Sequence, residues 1–382
     1  MNNEEVLSKY ISLINNNILS LLPLKAVDVK QNLYKMNCLR DNSHEVYYDT
    51  TTHIFSCPIC GYQLSLIELT SEIMEISQEE TIQKILIQKL KKKPNEIQDL
   101  EDLLLKKQER IELYYKANQR ALELFKENLK YSDKAKDYIF NKRKLSVETV
   151  ENFCIGYAPC DNNFLTILSK EFPLEILYGA GLLGQNEKTK QYYDFFHDRV
   201  MFPVFDCQGR VIAFGGRTMG SSPKKYLNTR TTPIFSKSTV LYAMDKLLTH
   251  RRYEVVLVCE GYMDVVSMYQ KGIYNVVGNL GTAITKKHLK LLAKYTNKPV
   301  VMLDGDSAGT QAMNRTIEKV GKVHTVVLPD SLDPDEYLKI HTKEDLISYI
   351  KSYMKSWDEV VKEKIIVLEG NLFKNLFEIK QF

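Results

Sequence analysis

From Tyr253 onward, four short apolar runs alternate with segments long enough to form helices. The runs cover residues 255–259, 275–277, 299–303 and 324–328. Hydrophobicity that is continuous rather than alternating belongs to strands buried on both faces, and the intervening lengths suit crossover helices. This stretch therefore reads as a doubly wound, parallel-sheet α/β unit. In such sheets the reactive groups gather at the carboxyl ends of the strands. Here the first run leads into Glu260-Gly261-Tyr262-Met263-Asp264, the third into Asp304-Gly305-Asp306, and the fourth into Asp330, Asp333 and Asp335.

Carboxylates converging on one sheet edge repel one another in a partly desolvated cleft, and divalent cations relieve that repulsion. Hard oxygen donors without His or Cys beside them point to Mg²⁺ or Mn²⁺ rather than zinc. Two such ions roughly 3.5–4 Å apart serve phosphoryl transfer, one at the attacking hydroxyl and one at the leaving oxygen. A single acid after a single strand is usually a helix cap or a solvated turn residue. Acids after three strands of one unit call for the metal reading.

At 382 residues the chain has room for two or three domains. Residues 1–70 hold the one tight cysteine pair, Cys57-Pro-Ile-Cys60, among short β-type runs, and read as a small metal-stapled module. Residues 71–110 read as a helical linker, Lys-rich at 89–93 and broken by Pro94; the lysine run is a solvated face or, alternatively, a DNA-tracking patch. Residues 111–250 open with an amphipathic helix and continue with strands, including a hairpin whose arms, 200–205 and 211–214, flank the turn Asp206-Cys-Gln-Gly209. Residues 251–340 carry the parallel unit, and 341–382 form a Lys-rich helical segment. The fold class is thus a multidomain α+β and α/β chain with a small N-terminal ribbon-like module.

The net charge of +4 does not by itself announce nucleic-acid binding, so any basic surface is local. Seven cysteines with one close pair suit a reducing compartment. No secretory leader and no run of about 18 uncharged apolar residues is present, so a cytoplasmic protein without membrane contact is expected.

The acidic pattern resembles a Toprim domain, a Glu after one strand and Asp-x-Asp after a later one. Toprim domains are shared by primases, topoisomerases, recombination proteins and nucleases. The upstream segments are similar to one family among these, the bacterial DnaG-type DNA primases. They are Lys142-Arg143 with Leu145-Ser146; Ile155-Gly-Tyr-Ala-Pro159; His197-Asp-Arg-Val-Met-Phe-Pro203; Phe214-Gly-Gly-Arg217; Lys225-Tyr-Leu-Asn228; Phe235-x-Lys237; and Leu241-Tyr242. Asn279-Leu-Gly-Thr282 continues the order inside the Toprim part.

That resemblance implies template-directed, metal-dependent synthesis of short RNA primers from NTPs on single-stranded DNA. It implies that Glu260, Asp304 and Asp306 are catalytic and hold Mg²⁺, with Asp264, Asp333 and Asp335 in support. Arg217, Lys225 and Lys237 are cations on glycine-flanked or turn-rich segments suited to triphosphate oxygens. The family's nucleotide contacts map onto these three and onto Arg143. Tyr226 and Phe214 are expected to serve packing.

The family also carries an N-terminal zinc ribbon. Cys38, Cys57 and Cys60 are three candidate Zn²⁺ ligands, the alternative being a decayed ribbon held by packing alone with reduced thiols, and Asp41 stands at the family's histidine position. The fourth ligand is therefore left open between His44, Asp41 and His53. Family members continue into a helicase-binding domain, whereas little follows residue 345 here. The expectation is a short form in which a replicative helicase is recruited through another protein or not at all. Two rival functions remain: a Toprim nuclease using water as nucleophile, and a catalytically silent replication accessory or DNA-binding protein.

Overall fold

The structure is a computed structural model and describes residues 25–28, 33–37, 45–49, 54–56, 63–74, 81, 94–160, 163–219, 224–247, 253–281, 284–293, 295–303 and 323–355. Near the N-terminus, β1 (Lys25–Asp28), β2 (Leu33–Asn37), β3 (Glu45–Asp49), β4 (Ile54–Ser56) and β5 (Gln63–Ser65) form an antiparallel meander in chain order. Helix α1 (Leu66–Met74) follows, opened by a reciprocal cap: Glu68 N donates to Ser65 Oγ at 3.2 Å and Ser65 N donates to the Glu68 carboxylate at 2.6 Å. Val46, Tyr48, Phe55 and Leu69 are each buried, the Tyr48 and Phe55 rings 4.6 Å apart. Asn37 pairs with Glu45 and Ser56 with Gln63, so the β2–β3 and β4–β5 connections leave the same end of the sheet. Cys38, Asp41, His44, His53, Cys57 and Cys60 lie outside the described residues, as do Asp304 and Asp306.

Helix α2 (Pro94–Tyr131) runs unbroken for 38 residues. Pro94 starts this helix rather than breaking one, because the first turn leaves its N–H groups unbonded and proline has none to lose. The expected boundary at residue 110 falls inside α2. Tyr114, Ala117, Ala121 and Phe125 recur at helical spacing on its buried face. After α3 (Asp133–Lys136) and a π-helical stretch, Asp137–Lys142, come α4 (Val147–Asn152), β6 (Gly156–Ala158), α5 (Asn163–Leu168), α6 (Leu174–Gly179), β7 (Leu183–Gln185) and β8 (Tyr192–Asp194).

Strands β9 (Arg199–Phe205), β10 (Val211–Thr218) and β11 (Tyr226–Asn228) complete an antiparallel sheet of order β11-β10-β9-β6. The β9–β10 turn is the expected one, with Gly209 at φ 77° and the Asp206 carboxylate accepting from Gln208 N and Arg210 N, each at 2.9 Å. The sheet packs on α2 through Phe125, whose ring stacks on Phe164 at 4.7 Å and meets Phe214 edge-on at 5.2 Å. As expected, Phe214 serves packing.

Beyond α7 (Met244–Leu247) lies the parallel unit: β12 (Val256–Cys259), α8 (Tyr262–Gln270), β13 (Val276–Gly278), α9 (Lys286–Leu292), β14 (Pro299–Leu303), β15 (His324–Val327), α10 (Pro334–Ile340) and α11 (Lys343–Tyr353). Its order is β13-β12-β14-β15 and every pairing is parallel. The four apolar runs became four buried parallel strands. One core spans this unit and the antiparallel sheet, joining Phe202 and Val204 to Tyr262, Met263 and Val266. Tyr242 and Gly278 exchange backbone hydrogen bonds of 2.7 and 3.0 Å across that junction. Among the described residues no helix is long and apolar enough to cross a membrane.

Candidate active site

The strand order places the first strand, β12, between β13 and β14, so the chain reverses its direction of growth between β12 and β14. That switch point opens a crevice at the carboxyl ends of the strands, where ligands of open α/β sheets bind. Glu260 follows β12 directly and is half-buried. β14, paired in register with β12, ends at Leu303, the residue before Asp304 in the chain.

Gly261 caps α8 and donates its N–H to Asp264 Oδ2 at 2.9 Å. A Cβ on residue 261 would stand 2.7 Å from that oxygen, so the glycine lets Asp264 fold back beneath the Glu260 turn. Asp264 is buried. On the other side of β12, Asn279 N donates to Cys259 O at 3.0 Å and Gly281 N to Glu260 O at 3.3 Å. Leu280 and Gly281 both adopt positive φ, 61° and 69°, which turns the chain sharply beside Glu260.

Of the basic residues, Arg217 lies on the antiparallel sheet and Lys225 directly precedes its last strand in the chain. Arg217, on β10, is buried; its Nη1 donates to the Tyr226 hydroxyl at 2.5 Å and its guanidinium lies 5.0 Å from that ring's centre. Burial pushes the Tyr226 hydroxyl well above the usual tyrosine range, Arg217 pulls it back, and Asp264 is among the groups that raise it. Tyr226 thus bonds Arg217 and lies within reach of the Asp264 charge. It was expected to serve packing, and its ring does pack on Tyr262 at 5.8 Å, but its hydroxyl also orients Arg217.

Lys225 is exposed at the entry to β11. Lys237 is half-buried, and desolvation holds its ammonium below the usual lysine range. His288, buried at the start of α9, meets Lys237 O through Nε2 at 2.8 Å, and burial lowers its own pKa.

Arg143 reaches the parallel unit from the end of the π-helical stretch. Its Nε donates to the Tyr138 hydroxyl at 3.0 Å and its Nη1 lies 3.4 Å from Asp335 Oδ2. Asp335 is buried; it also pairs with Lys339 Nζ at 2.8 Å and accepts from Ser267 Oγ with its other oxygen. Asp333 caps α10, accepting from Glu336 N at 2.7 Å, and burial raises its carboxyl above the usual carboxylate range. Tyr138 links the two arginines, since Arg143 donates to its hydroxyl and the same hydroxyl acts on Arg217, which holds Tyr226; Asp335 anchors Arg143 to α8 through Ser267. Among the described residues no three His, Cys, Asp or Glu side chains stand together as a metal cluster.

Two residues escaped sequence reasoning. Asn228 accepts from the Tyr262 hydroxyl at 2.8 Å and donates to Leu280 O at 2.9 Å, clamping β11 to both turns that flank Glu260. Arg199 is buried on β9 and donates to Gly216 O at 3.0 Å and Lys224 O at 3.2 Å, tying down the β10–β11 hairpin that carries Lys225. Both lie inside motifs noted in the sequence, but their partners are 17 to 52 positions away and carry no local signal.

Two family models match the chain: "DNA primase catalytic core, N-terminal domain" over residues 124–248 and "Toprim-like" over residues 257–338. A DNA primase of Clostridium acetobutylicum is 38% identical over 253 residues, 65% of this chain and 42% of the relative. The chain thus spans about two fifths of the length of the curated relatives it matches. A solved DnaG primase catalytic domain bound to ssDNA is 31% identical, with a TM-score of 0.62 over 68% of this chain and 84% of that one. The crystal structure of the Aquifex aeolicus primase, comprising zinc-binding and RNA polymerase domains, is 28% identical, with a TM-score of 0.58 over 90% of this chain and 85% of that one.

Proposed function

Because the chain belongs to the DnaG-type DNA primase family, we propose that it makes short RNA primers from NTPs on a single-stranded DNA template. The observation that carries this reading is the switch point of the parallel sheet. Glu260 follows β12, the adjacent β14 leads into Asp304, and Arg217 holds the hydroxyl of Tyr226, on which the Asp264 charge acts.

The donor set fits a hard divalent cation, since it offers carboxylate oxygens without thiol or imidazole. Glu260, Asp304 and Asp306 would hold Mg²⁺ or Mn²⁺, with Asp264, Asp333 and Asp335 in support; bound there, the ions activate the attacking hydroxyl and neutralise the leaving oxygen. Arg143, Arg217, Lys225 and Lys237 grip the triphosphate of the incoming nucleotide. The 3′-hydroxyl of one nucleotide then attacks the α-phosphorus of the next, its bond to pyrophosphate breaks, and the hydroxyl proton passes to solvent. Holding both nucleotides in line contributes most of the acceleration.

The reading extends to the rest of the chain. Residues 1–70 form a zinc-ribbon-like DNA-binding module, 71–110 a helical linker, 111–250 the N-terminal part of the catalytic core, 251–340 the Toprim domain and 341–382 a helical segment. Cys38, Cys57 and Cys60 bind Zn²⁺ with His44, Asp41 or His53 as the fourth ligand. Support comes from the meander, whose β2–β3 and β4–β5 connections leave one end of the sheet, and from the zinc-binding domain of the Aquifex aeolicus primase. A cytoplasmic site of action suits this reading, whether or not a replicative helicase is engaged.

The test is incubation of wild-type and Asp304→Ala protein with single-stranded DNA, labelled NTPs and Mg²⁺ or Mn²⁺. Oligoribonucleotides from the wild type alone are expected. Their absence across varied templates overturns the proposal, and template cleavage without added NTPs would point to a nuclease instead.

A further inference from the structure

Helix α8 joins two parts of the site that are distant in sequence. Glu260 and Gly261 lead into its first turn, and Gln270 ends it. Gln270 Oε1 accepts from Ser146 N at 2.7 Å, while its Nε2 donates to Lys144 O at 3.0 Å. Both amide atoms are therefore spent on the backbone immediately after Arg143. Lys144, between those contacts, has φ 58°, a left-handed conformation that a lysine keeps only where its surroundings impose it.

The Arg143 side chain is held from the same helix. Ser267 and Gln270, three residues apart, share a face of α8. Ser267 binds Asp335, and Asp335 binds Arg143. One helix face thus fixes the backbone of this loop directly and its guanidinium through one carboxylate. Residues Tyr262 to Met268 of α8 are all buried, so the helix is a rigid spacer about 14 Å long between the Glu260 turn and the Arg143 loop.

We propose that Gln270 is a positioning residue for nucleotide binding. By clasping the backbone of Lys144 and Ser146, it sets Arg143 at a fixed place relative to Glu260, so that the triphosphate is gripped in register with the acids. This rests on reading Arg143 as a triphosphate ligand. Because the clasp is near the surface, water can replace its hydrogen bonds when it is lost; the fold then suffers little while the guanidinium loses its placement.

The experiment measures the Kd of ATP with Mg²⁺ by calorimetry, and the KM and kcat of primer synthesis, in the full chain. The variants are Gln270→Ala, Arg143→Ala and the double substitution. Gln270→Ala should raise Kd and KM about three- to tenfold with kcat within about twofold of wild type, and should add nothing in the Arg143→Ala background. Gln270→Met, which keeps the stem without the amide, should behave alike and serves if the alanine variant folds poorly. Wild-type Kd and KM in both Gln270 variants overturn the proposal, as does an effect that persists undiminished without Arg143. If Arg143→Ala itself binds ATP normally, the reading of Arg143 fails and the proposal with it; if Arg143→Ala weakens binding while the Gln270 variants do not, only the proposal fails.

Discussion

Lys237 carries a charge that its surroundings make conditional. Desolvation penalises the ammonium, so its pKa lies below the usual lysine value of about 10.4. The charge is present below that lowered value and is lost as pH rises through it. If Lys237 grips the triphosphate, the KM for NTP should climb on the alkaline side earlier than an ordinary lysine would dictate. A guanidinium stays protonated there, so Lys237→Arg should move that limb to higher pH; an unmoved limb in the KM–pH profile would remove Lys237 from the site. Arg217 differs because it is buried and bound to the Tyr226 hydroxyl. Arg217→Met keeps the stem's packing but leaves that hydroxyl without its cation and the triphosphate without a forked donor. We expect kcat/KM to fall about 100-fold, on the order of 2.7 kcal/mol, with the unfolding midpoint little changed. A loss carried by unfolding instead would make Arg217 a packing residue.

At the scale of elements, the site depends on how the antiparallel sheet meets α8. Gly215 lies against the Tyr262 ring so closely that a Cβ would stand 2.2 Å from its Cζ. The ring has little room to yield: it stacks on Phe202 at 5.3 Å, meets Tyr242 edge-on at 4.7 Å and donates to Asn228. Gly215→Ala should therefore cost about 1–3 kcal/mol in urea unfolding. Since Tyr262 follows Glu260-Gly261, primer synthesis should fall further than stability does; a variant of normal stability and activity would show that the interface can shift.

The same interface marks where sequence reading stops. Buried parallel strands were legible because each is a continuous apolar run, and the β9–β10 hairpin because Asp206-Cys-Gln-Gly209 has turn chemistry. Glu260 was singled out by the strand it follows, and Arg217 and Arg143 by motifs that resemble those of the primase family. Asn228 to Leu280 and Gln270 to Lys144 were not, because these contacts join residues 52 and 126 positions apart whose types signal nothing locally. Pro94 misled for a different reason: proline both ends and begins helices, and only the N–H accounting of the first turn tells which.

Taken whole, the molecule joins units of unequal size. The catalytic part has cores that run through two sheets and α2, whereas the N-terminal meander has strands of only three to five residues. A unit that small rarely folds on hydrophobic burial alone and usually needs a disulfide or a metal. If Cys38, Cys57 and Cys60 bind zinc, the metal holds this module together and the core does not depend on it. Purified protein should then contain about one equivalent of zinc. Removal of zinc with a zinc-selective chelator in excess Mg²⁺, or Cys57→Ala with Cys60→Ala, should expose the meander to protease and weaken single-stranded DNA binding, while ATP binding and the main thermal transition stay as in the wild type. Protein that carries less than about half an equivalent of zinc, yet keeps a protease-resistant meander and full template affinity, would mean that packing alone sustains the module and that template contact does not depend on metal.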